Sequence, residues 1–230
     1  MANYTLDDLA QMIDHTNLHA DVTQAQIEQL CLEATKYHFK TVTVNSVQTK
    51  LCSQFLAETE VLVGAAISYP LGQTSIPAKA FEAEDAISNG AKEIDYVLNL
   101  SELKNGNDDY IKTEMQVVFD ICSTRDVICK TIFETGYLTD EEIERAVQIA
   151  LQVNPNFIIT GSQKASVEDV KLLKGLVGEK IKIKAAGGID NLSTMLSMIQ
   201  AGARRIGTSS GIKIIEEAKM LSDETDVIMI

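Results

Sequence analysis

The chain is short of positive charge: 20 Lys and Arg stand against 33 Asp and Glu in 230 residues, a formal net charge of −13. That balance excludes nucleic acid or an anionic membrane surface as the main partner, because both need a basic face. Net charge is not local potential, so a small pocket for a phosphate stays open. Long apolar runs are missing too, and none approaches the ~20 residues of a membrane-spanning helix. The start, Met1-Ala-Asn-Tyr-Thr-Leu-Asp-Asp8, lacks the basic-then-apolar pattern of a signal peptide. Only four cysteines occur, at 31, 52, 122 and 129, and none has C-x-x-C or Cys/His spacing. Their pattern points to reduced thiols in a cytoplasmic protein and to no metal centre. No proline-rich or low-complexity stretch marks a linker, so a single domain spanning 1–230 is expected.

What is present is a regular alternation of helix and strand signals. A short amphipathic helix near Thr5–Met12 precedes an extended Ile13–Leu18. Thr23 with Gln26 three residues on forms a capping box for a helix to about His38. Strands follow at Thr41–Asn45, Val61–Ile67, Glu93–Asn99, Val127–Glu134, Phe157–Thr160, Ile181–Ala186 and Arg205–Thr208. Helices are expected near 46–58, 76–89, 108–124, 140–153, 166–176 and 192–201. Eight strands in alternation with helices predict an α/β fold, a (β/α)8 TIM barrel with a short extra N-terminal helix.

Period-two alternation sorts the polar residues of these strands. Ile94, Tyr96 and Leu98 suit the helix-facing side, which turns Glu93, Asp95, Val97 and Asn99 inward. The same parity puts Lys130 with Ile128, Ile132 and Glu134, and Lys182 and Lys184 inside with Ile181 and Ile183 outside. Thr43 and Asn45 also face inward. Interior charges are costly unless paired, so acids and lysines should neutralise one another there. Asp95 and Lys184 lie nearest the C-terminal ends of their strands, where barrel active sites form. They are the candidate catalytic pair, expected within hydrogen-bonding reach of each other. Gly187, Gly188, Gly207, Ser209 and Ser210 lie in turns after the last two strands, where backbone N–H groups can hold an anion. Thr43, Asn45, Lys130 and Thr160 are supporting candidates.

Ile13-Asp-His-Thr16, Tyr69-Pro-Leu-Gly72, Gly90-Ala-Lys-Glu-Ile-Asp95, Glu134-Thr135, Lys184-Ala-Ala-Gly-Gly188 and Ala201-Gly-Ala-Arg-Arg-Ile-Gly-Thr-Ser-Ser210 occur in this order along nearly the whole chain. Together they resemble deoxyribose-phosphate aldolase, a class I aldolase family. The resemblance implies a barrel without metal or organic cofactor and reversible cleavage of 2-deoxyribose 5-phosphate to glyceraldehyde 3-phosphate and acetaldehyde. It implies as partner a small phosphorylated sugar or aldehyde, and leaves a homo-oligomer open. It makes Asp95 the proton-relay aspartate and Lys184 the second lysine. The family's Schiff-base lysine, on the sixth strand, falls at Ile159, and the loop behind it is several residues shorter here. Thr43 stands where a cysteine is common, and Ser68-Tyr69 where Gly-Phe precedes the proline. Three readings follow: an aldolase using Lys184 or Lys164, a sugar-phosphate-binding paralogue without a Schiff base, or another sugar-phosphate enzyme using Asp95 and Lys184 as an acid–base pair.

Overall fold

Val42, Val44, Val63, Ala65, Ile94, Tyr96, Ile158, Ile183 and Ile206 all point away from the strand axis toward helices and sit in one buried apolar cluster. That shared facing is what closes the sheet. The computed structural model describes residues 3–163 and 165–222 with their side chains, and the backbone of 227–229. In chain order the strands and helices are β1 (Asn3–Thr5), α1 (Leu6–Ala10), β2 (Ile13–Asn17), α2 (Gln24–Lys36), β3 (Thr41–Asn45), α3 (Thr49–Phe55), β4 (Leu62–Ile67), α4 (Ile76–Ser88) and β5 (Glu93–Val97). Then come α5 (Leu100–Lys104), α6 (Asp108–Ser123), β6 (Ile128–Ile132), α7 (Asp140–Val153), β7 (Phe157–Ile159), α8 (Val167–Val177), β8 (Lys182–Ala186), α9 (Leu192–Ala201), β9 (Ala203–Thr208), α10 (Gly211–Leu221) and β10 (Val227–Met229). Strands β2 to β9 run parallel and close into a barrel, β9 pairing back onto β2 with Ile13 opposite Ile206 and His15 opposite Thr208. The (β/α)8 expectation holds.

The helix starts follow their local chemistry. Thr23 caps α2 with the expected reciprocal Gln26 bond, and Thr139 with Glu142 does the same for α7. Helix α7 then buries Ile143, Ala146, Val147 and Ala150 on one stripe. Each large aliphatic side chain buried this way contributes about 1.5–3 kcal/mol.

Several boundaries differ from the sequence reading. Asn99 does not continue β5; its side chain accepts from the Glu102 N–H and starts α5, which the hydrophobic pattern alone did not announce. The expected helix over 46–58 begins as a 3-10 turn, Ser46–Gln48, and becomes α-helical only over Thr49–Phe55. Antiparallel pairing of β1 with β10 was not foreseen, because three-residue edge strands carry too little period to read. All four cysteines are buried and free. Among the described residues no helix is long and apolar enough to cross a membrane.

Candidate active site

Six charged side chains from five strands meet inside the barrel. Asp14 comes from β2, Glu93 and Asp95 from β5, Lys130 from β6, Lys184 from β8 and Arg205 from β9, all between 0 and 6% exposed. Arg205 is lowest: its Nε donates to Asp14 at 2.7 Å, and its two terminal nitrogens reach Glu93 at 3.2 and 2.9 Å. Lys130 contacts Asp14 at 3.1 Å and also pairs with Glu93. It lies 3.0 Å from Asp95 Oδ1, in ion contact but outside hydrogen-bond geometry. Lys184 is uppermost, donating to Asp95 Oδ2 and lying equally close to Asp14 Oδ2, 2.6 Å in each case. Three carboxylates against three cations leave the layer neutral, which is how a low-dielectric interior tolerates it.

The electrostatics follow from this packing. Burial alone would push the Asp14 carboxyl up, but Arg205, Lys130 and Lys184 outweigh it and hold Asp14 well below the ordinary carboxylate range. Asp95 is likewise raised by burial and brought down overall by Lys130 and Lys184. Lys130 loses hydration, yet Asp14, Asp95 and Glu93 raise it above the usual lysine range.

The expected Asp95–Lys184 pair is therefore present, with the strand parity assigned to Glu93 and Lys130. Asp14 and Arg205 complete the network and were missed. Lys182, expected inside with Lys184, is exposed at the opposite end, with its ammonium 5.6 Å from the centre of the Phe157 ring. The correction is one of depth: parity is right, but at a strand's first residue the inward side opens to solvent.

Above the charged layer opens a cavity of about 330 Å³ at the C-terminal ends of the strands. Asp95, Lys184, Thr43, Gly187, Gly188, Gly207, Ser209 and Ser210 all line it. Thr16, Tyr69, Ile132, Ile159 and Ser162 line it too and were not singled out as binding groups. Three supporting candidates stay outside its wall. Lys130 lies below, in the ion network. Thr160 fastens β7 to β8, its hydroxyl bonded to both the carbonyl and the N–H of Ala186 at 3.1 Å. Asn45 ends β3 half-buried, with no side-chain bond to the turn it precedes.

Two glycines are required by space. A Cβ on Gly187 would lie 1.4 Å from the Gln163 carbonyl oxygen, and its φ of +98° suits glycine alone. A Cβ on Gly207 would lie 2.8 Å from Ala186 Cβ and 3.0 Å from Lys184 Cε, so this glycine leaves room for the lysine. Ser210, the residue before α10, lines the mouth and its side chain makes no capping bond, so the first-turn N–H groups of that helix are left without a side-chain partner there. The Ser210 N–H donates to Thr208 Oγ1 at 2.8 Å, and that hydroxyl donates to the Ile189 carbonyl at 2.6 Å, tying the two turns together.

Ile159 faces the interior, 2% exposed, packed with Val97, Ile132, Tyr69 and Ala186. In the ladder it is the partner of Ile132 on one side and Lys184 on the other. The short loop beyond it is clasped by Glu134, whose Oε1 accepts from the Ser162 N–H at 3.0 Å. Lys164, the alternative amine, lies outside the described residues.

Comparison with known proteins agrees along the full length. The pattern of the DeoC/LacD family aldolase matches residues 9–217. A deoxyribose-phosphate aldolase of Lactobacillus acidophilus is 53% identical over 233 residues, covering 99% of this chain and 98% of that protein. One from Bacteroides thetaiotaomicron is 47% identical, covering 96% and 94%. Among solved structures, QR15, an aldolase, superposes with a TM-score of 0.87 at 36% identity over 94% of this chain and 99% of that one. A tetrameric deoxyribose phosphate aldolase from Aeropyrum pernix gives 0.88 at 26% identity, covering 95% and 94%.

Proposed function

The chain belongs to the DeoC/LacD aldolase family as a deoxyribose-phosphate aldolase-like lyase, and from that premise we propose how its own residues serve the reaction. The barrel mouth takes 2-deoxyribose 5-phosphate, and the reaction is its reversible cleavage to glyceraldehyde 3-phosphate and acetaldehyde. The phosphate lies on the turns of Gly187, Gly188, Gly207, Ser209 and Ser210, over the start of α10. This places the carbonyl end of the open sugar over Lys184 and Asp95. What carries the reading is one cavity that joins two glycine-rich turns to an amine hydrogen-bonded to a carboxylate. The whole chain acts as one barrel unit.

Class I aldolase chemistry needs a free amine. Its lone pair adds to the carbonyl, water leaves, and the protonated imine accepts the electron pair as the C–C bond breaks. Asp95 is suited to take the hydroxyl proton in that step and return one to the enamine carbon through water. Lys184 is the one described amine in the cavity wall. It sits between two carboxylates, and to act as nucleophile it must give up a proton and those contacts. With Ile159 rather than a second lysine beside it on β7, the cation near it is Lys130, itself held by Asp14 and Asp95, so Lys184 keeps its own ion pairs with those carboxylates. Turnover is therefore slow, and reversible sugar-phosphate binding is the stronger activity.

Incubation with 2-deoxyribose 5-phosphate and borohydride, read by intact mass and peptide mapping, tests this. Binding with weak trapping confined to Lys184 is expected. Rapid turnover with trapping at Lys164 would overturn it. Assembly into a homo-oligomer, as in the Aeropyrum relative, and a cytoplasmic location complete the proposal.

A further inference from the structure

His15 is a buried titratable group beside the mouth that the reaction does not use. It is 2% exposed, and its Nε2 lies 2.9 Å from Glu33 Oε2 on α2. Its ring turns away from the barrel interior, opposite in parity to Asp14, toward the first residue of α10. Gly211 leaves no room there: a Cβ would fall 3.2 Å from His15 Nδ1 and 2.9 Å from Phe39 Cζ. Nδ1 makes no hydrogen bond of good geometry, yet the backbone of Thr208, its partner residue across the β2–β9 ladder, lies on that side and favours the protonated ring. A cleft of about 370 Å³ has His15, Glu33 and Ser209 in its walls and joins the mouth through Thr16, His19 and Ser209.

Resting on the phosphate site argued above, we propose that His15 is a positioning residue for the anion: it is the proton-binding group behind the Thr208–Gly211 turn, and proton and anion bind cooperatively. An imidazolium beside the start of a helix meets the positive end of the helix dipole, while Glu33 stabilises it from the other side. Burial pushes the His15 proton affinity down, against the pull of Glu33 and of the Thr208 backbone. An anion seated on the same turn removes the unfavourable interaction. By reciprocity, the anion must then bind more tightly when His15 is protonated. The other titratable groups near it are Glu33 and, across the cleft, His19; Lys213 further along α10 is 3.8 Å from Glu217.

Sulfate is the probe, because it stays a dianion where phosphate esters titrate. Its affinity is measured between about pH 8 and pH 5.5 in the wild type, His15→Gln and Glu33→Gln. Falling net negative charge strengthens sulfate binding in all three. The wild type should gain about three- to tenfold more than His15→Gln, with Glu33→Gln responding at lower pH. In the wild type, sulfate should also move the NMR titration of His15 to higher pH, a readout that needs no variant. Equal pH slopes in wild type and His15→Gln, or a His15 titration blind to sulfate, would overturn the proposal while leaving the anion site standing. Absence of sulfate binding at every pH would overturn both.

Discussion

Ile159 and Lys184 are register partners across the β7–β8 ladder, and both side chains reach the wall of one cavity. The position beside the only described cavity-lining amine is thus an aliphatic side chain packed on Val97 and Ile132. Two cations there would repel; an isoleucine leaves Lys184 with its carboxylates.

Changing Ile159 to Lys should supply an amine where the proposed reaction calls for one. Borohydride trapping with 2-deoxyribose 5-phosphate should appear at the new lysine, with cleavage at least tenfold faster than in the native chain. Burying part of a lysine among Val97, Ile132 and Tyr69 should cost about 1–3 kcal/mol, seen in urea unfolding. No gain in trapping in a folded variant would mean that the side chain cannot reach the substrate.

Lys184→Met keeps the bulk and removes the charge between Asp14 and Asp95. Removing one partner of a buried pair should destabilise the fold by about 3–5 kcal/mol and abolish any trapping at that position. A change below about 1 kcal/mol would show that water reaches this layer freely.

The pH dependence of stability has a sign set by the same network. Asp14 and Asp95 have folded-state values below the ordinary carboxylate, so their contribution is present above about pH 4 and is lost as pH falls through the folded values. Lys130 is raised on folding, so its contribution is full below its unfolded value of about 10.4 and is lost as pH rises through the folded one. Denaturation across pH should trace a plateau between those limits. Asp95→Asn should shrink the loss on the acid side; an unchanged acid limb would remove Asp95 from the account.

Gly187→Ala should displace the loop at Gln163, because the added carbon overlaps a carbonyl oxygen and the backbone there has positive φ. A cost of at least about 2 kcal/mol and loss of sulfate binding are expected, read by thermal unfolding with and without sulfate.

Much of this site was readable in advance. Asp95, Lys130 and Lys184 could be set inside the barrel because side chains alternate along a strand, and the glycine turns could be set at the mouth because they follow the last two strands. Asp14 and Arg205 escaped notice. Each looks ordinary in its own segment, and their bond joins residues 191 positions apart.

The sequence by itself therefore determined the barrel, the strand facings and the absence of a lysine at position 159, since these depend on local periodicity and residue identity. Only the tertiary structure decided which charges meet, because barrel closure sets depth along the axis as well as facing. That is why Lys182 and Lys184, two residues apart with the same parity, end as a solvent-exposed cation and a buried one held between Asp14 and Asp95.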